Sequence, residues 1–431
     1  MSKTSSFRLA ALCLVSWSQA SAELPQDGDV KHLGVATCAA SQCHGSAVPR
    51  TGSNVLQNEY VTWTRDDPHG TAYETLNLPE SLAIARRLGL PSARTADVCL
   101  DCHADNVPEE RRGERFQMSD GIGCEACHGG AESWLSTHYN VPQVTHADSV
   151  AIGLYPADDV EARAELCLSC HLGTRDKFAT HRLMAAGHPR LAFELDTFTE
   201  LWRTAGRQPH YRIDDDYVER KGEVGHVHTW ATGLLVEARQ RLALIADGRF
   251  HGNGMFPELG LYDCHACHRS MKTVRWRPLP RRSGAGPGRP FLADGSFVMV
   301  LALARAVDKA EVAGLYDALA GLHTAASDSP AALTTAAGRL DAILARIGSR
   351  LAPARLRNRE GDILEEILQT GAEGNYPDYV SAEQAFMAVQ MLVIELDDPH
   401  LEAELERLAI SLDDDEKYRP TQFARLLDGL Q

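Results

Sequence analysis

The chain has 431 residues, 24% of them charged and 44% hydrophobic, with a formal charge of −16 from 59 acidic and 43 basic side chains. That length allows two domains of ordinary size, and that composition is the one of a soluble globular chain. The acidic excess disfavours nucleic acid and anionic membrane surfaces as partners and favours a soluble partner with a basic docking face.

The chain opens "MSKTSSFRLAALCLVSWSQASAE", with Lys3 and Arg8, an apolar run Leu9–Trp17 and then Ala20-Ser21-Ala22. A basic start, a short apolar stretch and a small-residue site predict an export signal over 1–22, cleaved after Ala22. The apolar run is too short to cross a bilayer, and no later segment approaches 18 uninterrupted apolar residues. Export to the periplasm follows. In that oxidising compartment paired cysteines ordinarily mean disulfides.

Once Cys13 is set aside, the cysteines fall into five close pairs, and a histidine follows the second member of every pair. The first is Cys38/Cys43 with His44, in "CAASQCH". Then come Cys99/Cys102 with His103, Cys124/Cys127 with His128, Cys167/Cys170 with His171, and Cys264/Cys267 with His268. Structural zinc joins two such pairs and has no need of the adjacent histidine. A thioredoxin-like motif accounts for a single pair. Covalent haem accounts for every element: two thiols add to the two porphyrin vinyl groups, and the next residue reaches the iron as first axial ligand. Five haem c groups are therefore expected. The wider spacing of the first motif leaves a Cys38–Cys43 disulfide open as its alternative.

A second ligand decides what each iron does. Another histidine gives a six-coordinate electron carrier, whereas a vacant position admits a small molecule. The chain has 18 histidines. Beyond the five in the motifs, nine stand as candidates: His69, His138, His146, His181, His188, His210, His226, His228 and His251. His69, in "TWTRDDPHGTAY", opens a short helix capped by Asp66 or Asp67. His138 follows His128 closely enough to swing over a neighbouring ring. Gly187 and Pro189 place His188 at a turn after a helix carrying His181.

At these residues the chain resembles a known group. "HLGVATCAASQCHG", "GIGCEACHGGAESWLSTH", "HRLMAAGHPRLAFEL" and "LYDCHACHRSM" look like exported multihaem c-type cytochromes, related to the tetrahaem cytochrome that takes electrons from hydroxylamine oxidoreductase. The resemblance covers residues 32 to 290. It implies compactly packed haems with histidine second ligands at most of them, and sometimes one five-coordinate iron. On that basis His69, His138 and His188 fit best as distal ligands, with His181 and His210 next. The fifth site and a long C-terminal extension depart from the tetrahaem member. No motif has the CxxCK form that marks the catalytic haem of ammonia-forming nitrite reductases.

The expected fold is mainly α. Residues 23–276 form a multihaem cytochrome c unit of short helices, "PESLAIARRLGL" and "EARAELCLSCH" among them, and long loops around stacked haems. Residues 277–290, "RPLPRRSGAGPGRP", read as a linker. Residues 291–431 read as a cysteine-free α-helical bundle. The function expected first is electron transfer between soluble or membrane-attached redox proteins. A reductase or oxidase of a small nitrogen or sulfur compound at one open haem, with Arg175, Arg182, Tyr211 or Lys221 above it, is the alternative, and a scaffold role is the third.

Overall fold

The computed structural model describes residues 22–52, 55–139, 144–204, 211–222, 225–251, 257–268 and 289–430. Most of the expected export signal and of the linker lies outside these. The described chain is mainly α. Its only extended pairings are two isolated bridges, His32 with Arg112 and Tyr262 with Leu292.

The motif-bearing half is built from short helices: α1 (Glu59–Asp66), α2 (Pro79–Leu88), α3 (Asp97–His103), α4 (Cys124–His128) and α5 (Leu135–His138). Then follow α6 (His146–Ala151), α7 (Val160–His171) and α8 (His181–Ala185). Local chemistry sets their ends. Pro79 starts α2, and Gly89, with φ 74°, stops it in the left-handed conformation that side chains resist. Asp159 caps α7 by accepting from the Ala162 N–H at 2.9 Å. Four motifs end helices: α3, α4 and α7 close on His103, His128 and His171, and α12 (Cys264–Cys267) stops just short of His268.

Between α8 and α12 lie α9 (Leu195–Thr204), α10 (Asp215–Lys221) and α11 (His226–Ala246). The C-terminal region comprises α13 (Gly295–Val307), α14 (Val312–Ala325), α15 (Pro330–Gly348), α16 (Pro353–Leu356), α17 (Glu360–Ala372), α18 (Tyr379–Leu396), α19 (Pro399–Ile410) and α20 (Pro420–Asp428). The apolar run from Ser296 to His323 is split because Asp308 leaves helical geometry. Its carboxylate binds Arg350 at 2.9 Å instead.

The hub is α11. Trp230, Ala231, Ala238 and Ile245 on it are fully buried, and it packs against α7, α9, α13 and α15. One hydrophobic core runs without interruption from Ala164 in α7 to Leu430 after α20. Among the described residues before α7 the clusters are small and separate, around Leu76 and Leu100 and around Trp134, and Tyr155 forms another with Ala162 and Leu166 of α7.

Candidate functional site

The motif histidines are held by what surrounds their Nδ1 atoms. His44 donates from Nδ1 to Glu59 Oε2 on α1 at 2.8 Å. His103 Nδ1 lies 3.2 Å from the Ala72 carbonyl and 3.0 Å from Thr75 Oγ1. His171 stacks on Phe193, with ring centres 4.6 Å apart. Backbone glycines complete the first and third motifs. A Cβ at Gly45 would run into the Ala39 carbonyl, and Gly129 has φ 79°. The "CHG" these motifs share is therefore a steric requirement of the turn.

Each of four motif histidines faces one histidine from elsewhere in the chain. Ring centres of His44 and His138 are 6.1 Å apart, of His69 and His171 6.1 Å, of His103 and His188 6.4 Å, and of His181 and His268 6.1 Å. Two imidazoles on opposite sides of one metal need about 2 Å from metal to nitrogen plus roughly 1 Å from nitrogen to ring centre, doubled, or about 6 Å. The four separations fit that gap. The tautomers fit as well: His44, His69, His103 and His188 all engage a hydrogen-bond acceptor through Nδ1, which leaves Nε2 as the nitrogen able to bind a metal.

The opposing histidines are placed by local chemistry. Asp67 caps the 3-10 turn Pro68–Thr71, accepting from the His69 N–H at 2.8 Å and from its Nδ1 at 3.0 Å. His138 ends α5, edge-on to Trp134. His181 is the first residue of α8, and its N–H donates to Glu258 Oε1 at 2.7 Å. The helix then breaks at Gly187, φ 114°, and Arg87 of α2 pins the turn through the Ala186 carbonyl at 2.7 Å. His188 emerges from that turn, its Nδ1 on the Pro189 carbonyl at 2.7 Å. A single short segment thus supplies a histidine to two different motifs.

The other candidates serve elsewhere. His146 Nε2 engages Asp158 at 2.8 Å, His251 Nε2 the Ile245 carbonyl at 2.8 Å, and His226 Nδ1 Asp196 at 3.0 Å. His228 Nε2 lies 3.5 Å from Thr232 Oγ1. His210 lies outside the described residues. His128, at the end of α4, accepts the Tyr155 N–H on its carbonyl at 2.9 Å.

All ten described cysteines are free thiols. Thiols of different motifs interact in two places, Cys38 with Cys124 and Cys102 with Cys170. In each of these pairs one thiol is made easier to ionise. The hydrogen bond from Cys102 holds Cys170 well below its usual value, with Lys177 Nζ at 3.1 Å adding to the effect. Burial pushes Cys167 up to about 11. Glu125, buried within the third motif, accepts the N–H groups of Leu33, Gly34 and Ala131, each at 2.7 Å, and so ties that motif to the N-terminal segment.

The family described as "cytochrome c554 and c-prime" matches residues 37–129. This stretch contains the first three motifs and ends before α7. The match supports a c-type cytochrome. Among curated proteins and among solved structures, nothing matches the chain. A c-type cytochrome carries haem c, works in electron transfer and implies redox partners. The residues fit that group: thiols in pairs at the helix ends, and a histidine gap of the right width beside them. Haem held this way supplies a one-electron iron couple. The chain's own part there would be to hold the facing imidazoles and their tautomers.

Sequence reasoning did not find the Nδ1 partners. Asp67, two residues before His69, reads from the sequence only as a helix cap. Glu59 carries no local signal, because it reaches His44 by tertiary folding. Among the described residues, no helix is long and apolar enough to cross a membrane.

Proposed function

We propose that this chain is a periplasmic c-type cytochrome carrying electrons between redox partners through five covalently bound haems. Each is attached at one of the five cysteine pairs, with His44, His103, His128, His171 and His268 as proximal ligands. The observation that carries this reading is the set of four opposed imidazole pairs. In it, His138, His69, His188 and His181 are the distal ligands of the haems at Cys38/Cys43, Cys167/Cys170, Cys99/Cys102 and Cys264/Cys267. Histidine on both axial positions leaves an iron suited to moving electrons and closed to a substrate.

Haem at the first motif, with its longer spacing, is supported by the His44–His138 gap and by the contact of Cys38 with Cys124. Neighbouring thiols from different motifs, Cys38 with Cys124 and Cys102 with Cys170, favour closely spaced haems and thus a continuous relay. Residues 1–22 are the export signal, and residues 23–276 bear the haems. Residues 291–431 buttress the haem-bearing part through the shared core. The fifth centre and this C-terminal region set the chain apart from the tetrahaem cytochrome it is similar to. Its partners are therefore assigned by chemistry alone, as soluble or membrane-attached redox proteins.

Intact mass of the exported protein tests the reading. The expected product begins at Glu23 and carries five haem masses. A mass with fewer haems, or a retained Met1, contradicts it in the corresponding part.

A further inference from the structure

The four opposed histidine pairs differ in two ways. First, the acceptors on Nδ1 are not alike. His44 and His69 give that proton to carboxylates, Glu59 at 2.8 Å and Asp67 at 3.0 Å. His103 and His188, which face each other, rest only on neutral oxygens, the Thr75 hydroxyl at 3.0 Å and the Ala72 carbonyl at 3.2 Å for His103 and the Pro189 carbonyl for His188. Second, the ring planes differ. His44/His138 and His181/His268 are near parallel, at 19° and 32°, whereas His69/His171 and His103/His188 cross at 87° and 82°.

Both carboxylates are fixed and mostly shielded. Glu59 is held by its second oxygen, which accepts the Gln57 N–H at 3.0 Å, and its side chain is 18% exposed. Asp67 also accepts the His69 N–H at 2.8 Å, and its side chain is 11% exposed. A shielded anion on Nδ1–H pulls that proton away from the ring, so Nε2 becomes a stronger donor to whatever metal it meets. A stronger donor favours the more highly charged, ferric iron. A carbonyl does the same more weakly.

We infer that Glu59 and Asp67 are redox-setting positioning residues: acting through His44 and His69, they hold two of the irons at lower potential than the His103/His188 iron, whose imidazoles lean on neutral oxygens. This rests on reading these histidines as iron ligands. The centres then differ in potential, with the difference written in hydrogen-bond acceptors remote from the iron.

The ring planes allow each effect to be addressed separately. Crossed imidazole planes leave the iron orbitals nearly degenerate and give a strongly anisotropic low-spin resonance. Near-parallel planes give an ordinary rhombic one. His44/His138 belongs to the second kind and His69/His171 to the first. The experiment is a redox titration of haem-loaded protein followed by electron paramagnetic resonance, on wild type, Glu59→Gln, Glu59→Asp and Asp67→Asn. Intact mass on the same samples counts the haems.

Glu59→Gln is expected to raise the midpoint of one rhombic signal, by roughly tenfold in the ferric-to-ferrous equilibrium, or about 59 mV for a one-electron couple. Asp67→Asn should raise one strongly anisotropic signal by a similar amount, and Glu59→Asp, which keeps the carboxylate, should return the first midpoint most of the way to the wild-type value. Unmoved midpoints in fully loaded protein overturn this inference and leave the haem count standing, as does a shift spread evenly over all signals. If both amide variants lose a haem, the carboxylates are structural and the inference is overturned in that way. Wild-type protein without haem ends the parent reading instead.

Discussion

Arg190 and Glu383, far apart in the chain, form a two-pronged ion pair, with guanidinium nitrogens 2.8 and 2.6 Å from the carboxylate oxygens. Arg190 also lies over the Tyr379 ring, 5.1 Å from its centre. Arg190 follows His188 by two residues, and Tyr379 and Glu383 belong to α18. The pair therefore clamps the segment carrying His188 to the C-terminal helices. Both side chains are about one-fifth exposed, at 22% and 18%. Solvent screening is only partial, and removing one partner strands the other.

Glu383→Ala is accordingly expected to cost about 1–3 kcal/mol, the range for a shielded charged group left without its partner. Thermal unfolding measures the cost. The same variant should loosen the His188 turn and broaden the anisotropic resonance assigned to the His103/His188 pair. A variant as stable as wild type with an unchanged resonance would show that the clamp is incidental.

His226 gives the protein a pH dependence on the alkaline side. Its hydrogen bond to Asp196 at 3.0 Å, with Glu395 at 3.7 Å and the charge of Glu200 nearby, raises its pKa to about 9 from 6.5. The raised value means that the folded state holds a proton which the unfolded chain releases. The stabilisation is complete below about pH 6.5 and is lost as pH climbs through 9. Urea midpoints should fall between pH 7 and pH 9.5. Replacing His226 with Gln should flatten that fall, and an unaltered slope in the variant would assign it to other groups.

What could be read from the sequence follows the reach of each constraint. The cysteine–histidine motifs are legible because covalent haem attachment would fix the spacing of two thiols and a ligand within a few residues. His69, His138, His181 and His188 were legible as candidates from the turns around them, but not which motif histidine each one faces. His44 meets His138, and His69 meets His171, across long separations that only tertiary folding sets. The reading missed α11 for a physical reason: it is buried on most of its surface, so it shows no apolar stripe against a polar face. Its leading "HVH" drew attention as ligands, whereas His226 serves Asp196 and His228 lies beside Thr232. The C-terminal helices announced themselves by composition. Their shared core with α7 did not.

Glu125 should be among the most sensitive positions in the N-terminal part. Its carboxylate satisfies three backbone N–H groups at once, at 2.7 Å each, in a site where the side chain is 3% exposed as a residue. Glu125→Ala orphans all three donors, at an expected cost of at least about 3 kcal/mol. Glu125→Gln keeps one acceptor oxygen and should fall between. Melting temperature and yield of loaded protein are the measurements. An alanine variant within about 0.5 kcal/mol of wild type, the level of an ordinary surface change, contradicts the account.

Haem removal should divide the chain at α7. Before it, the described residues form clusters of only six and three buried apolar side chains, the larger around Leu76 and Leu100, while a third cluster joins Tyr155 to Ala162 and Leu166 of α7. Clusters of that size do not offset the entropy of ordering well over a hundred residues, at about 1–2 kcal/mol per residue for the backbone alone. In the proposed reading the porphyrins supply the missing apolar surface, and attachment and folding are coupled there. From α7 onward the large core needs no such help, since α11, α13, α15, α17 and α18 bury one another. A chain with its motif cysteines replaced by alanine, exposed briefly to trypsin, should lose residues 23–159 and retain a resistant C-terminal fragment containing α11 and α13–α20. The haem-loaded protein should resist along its length. Equal resistance of the N-terminal part with and without haem would mean that the protein, and not the porphyrin, builds that half.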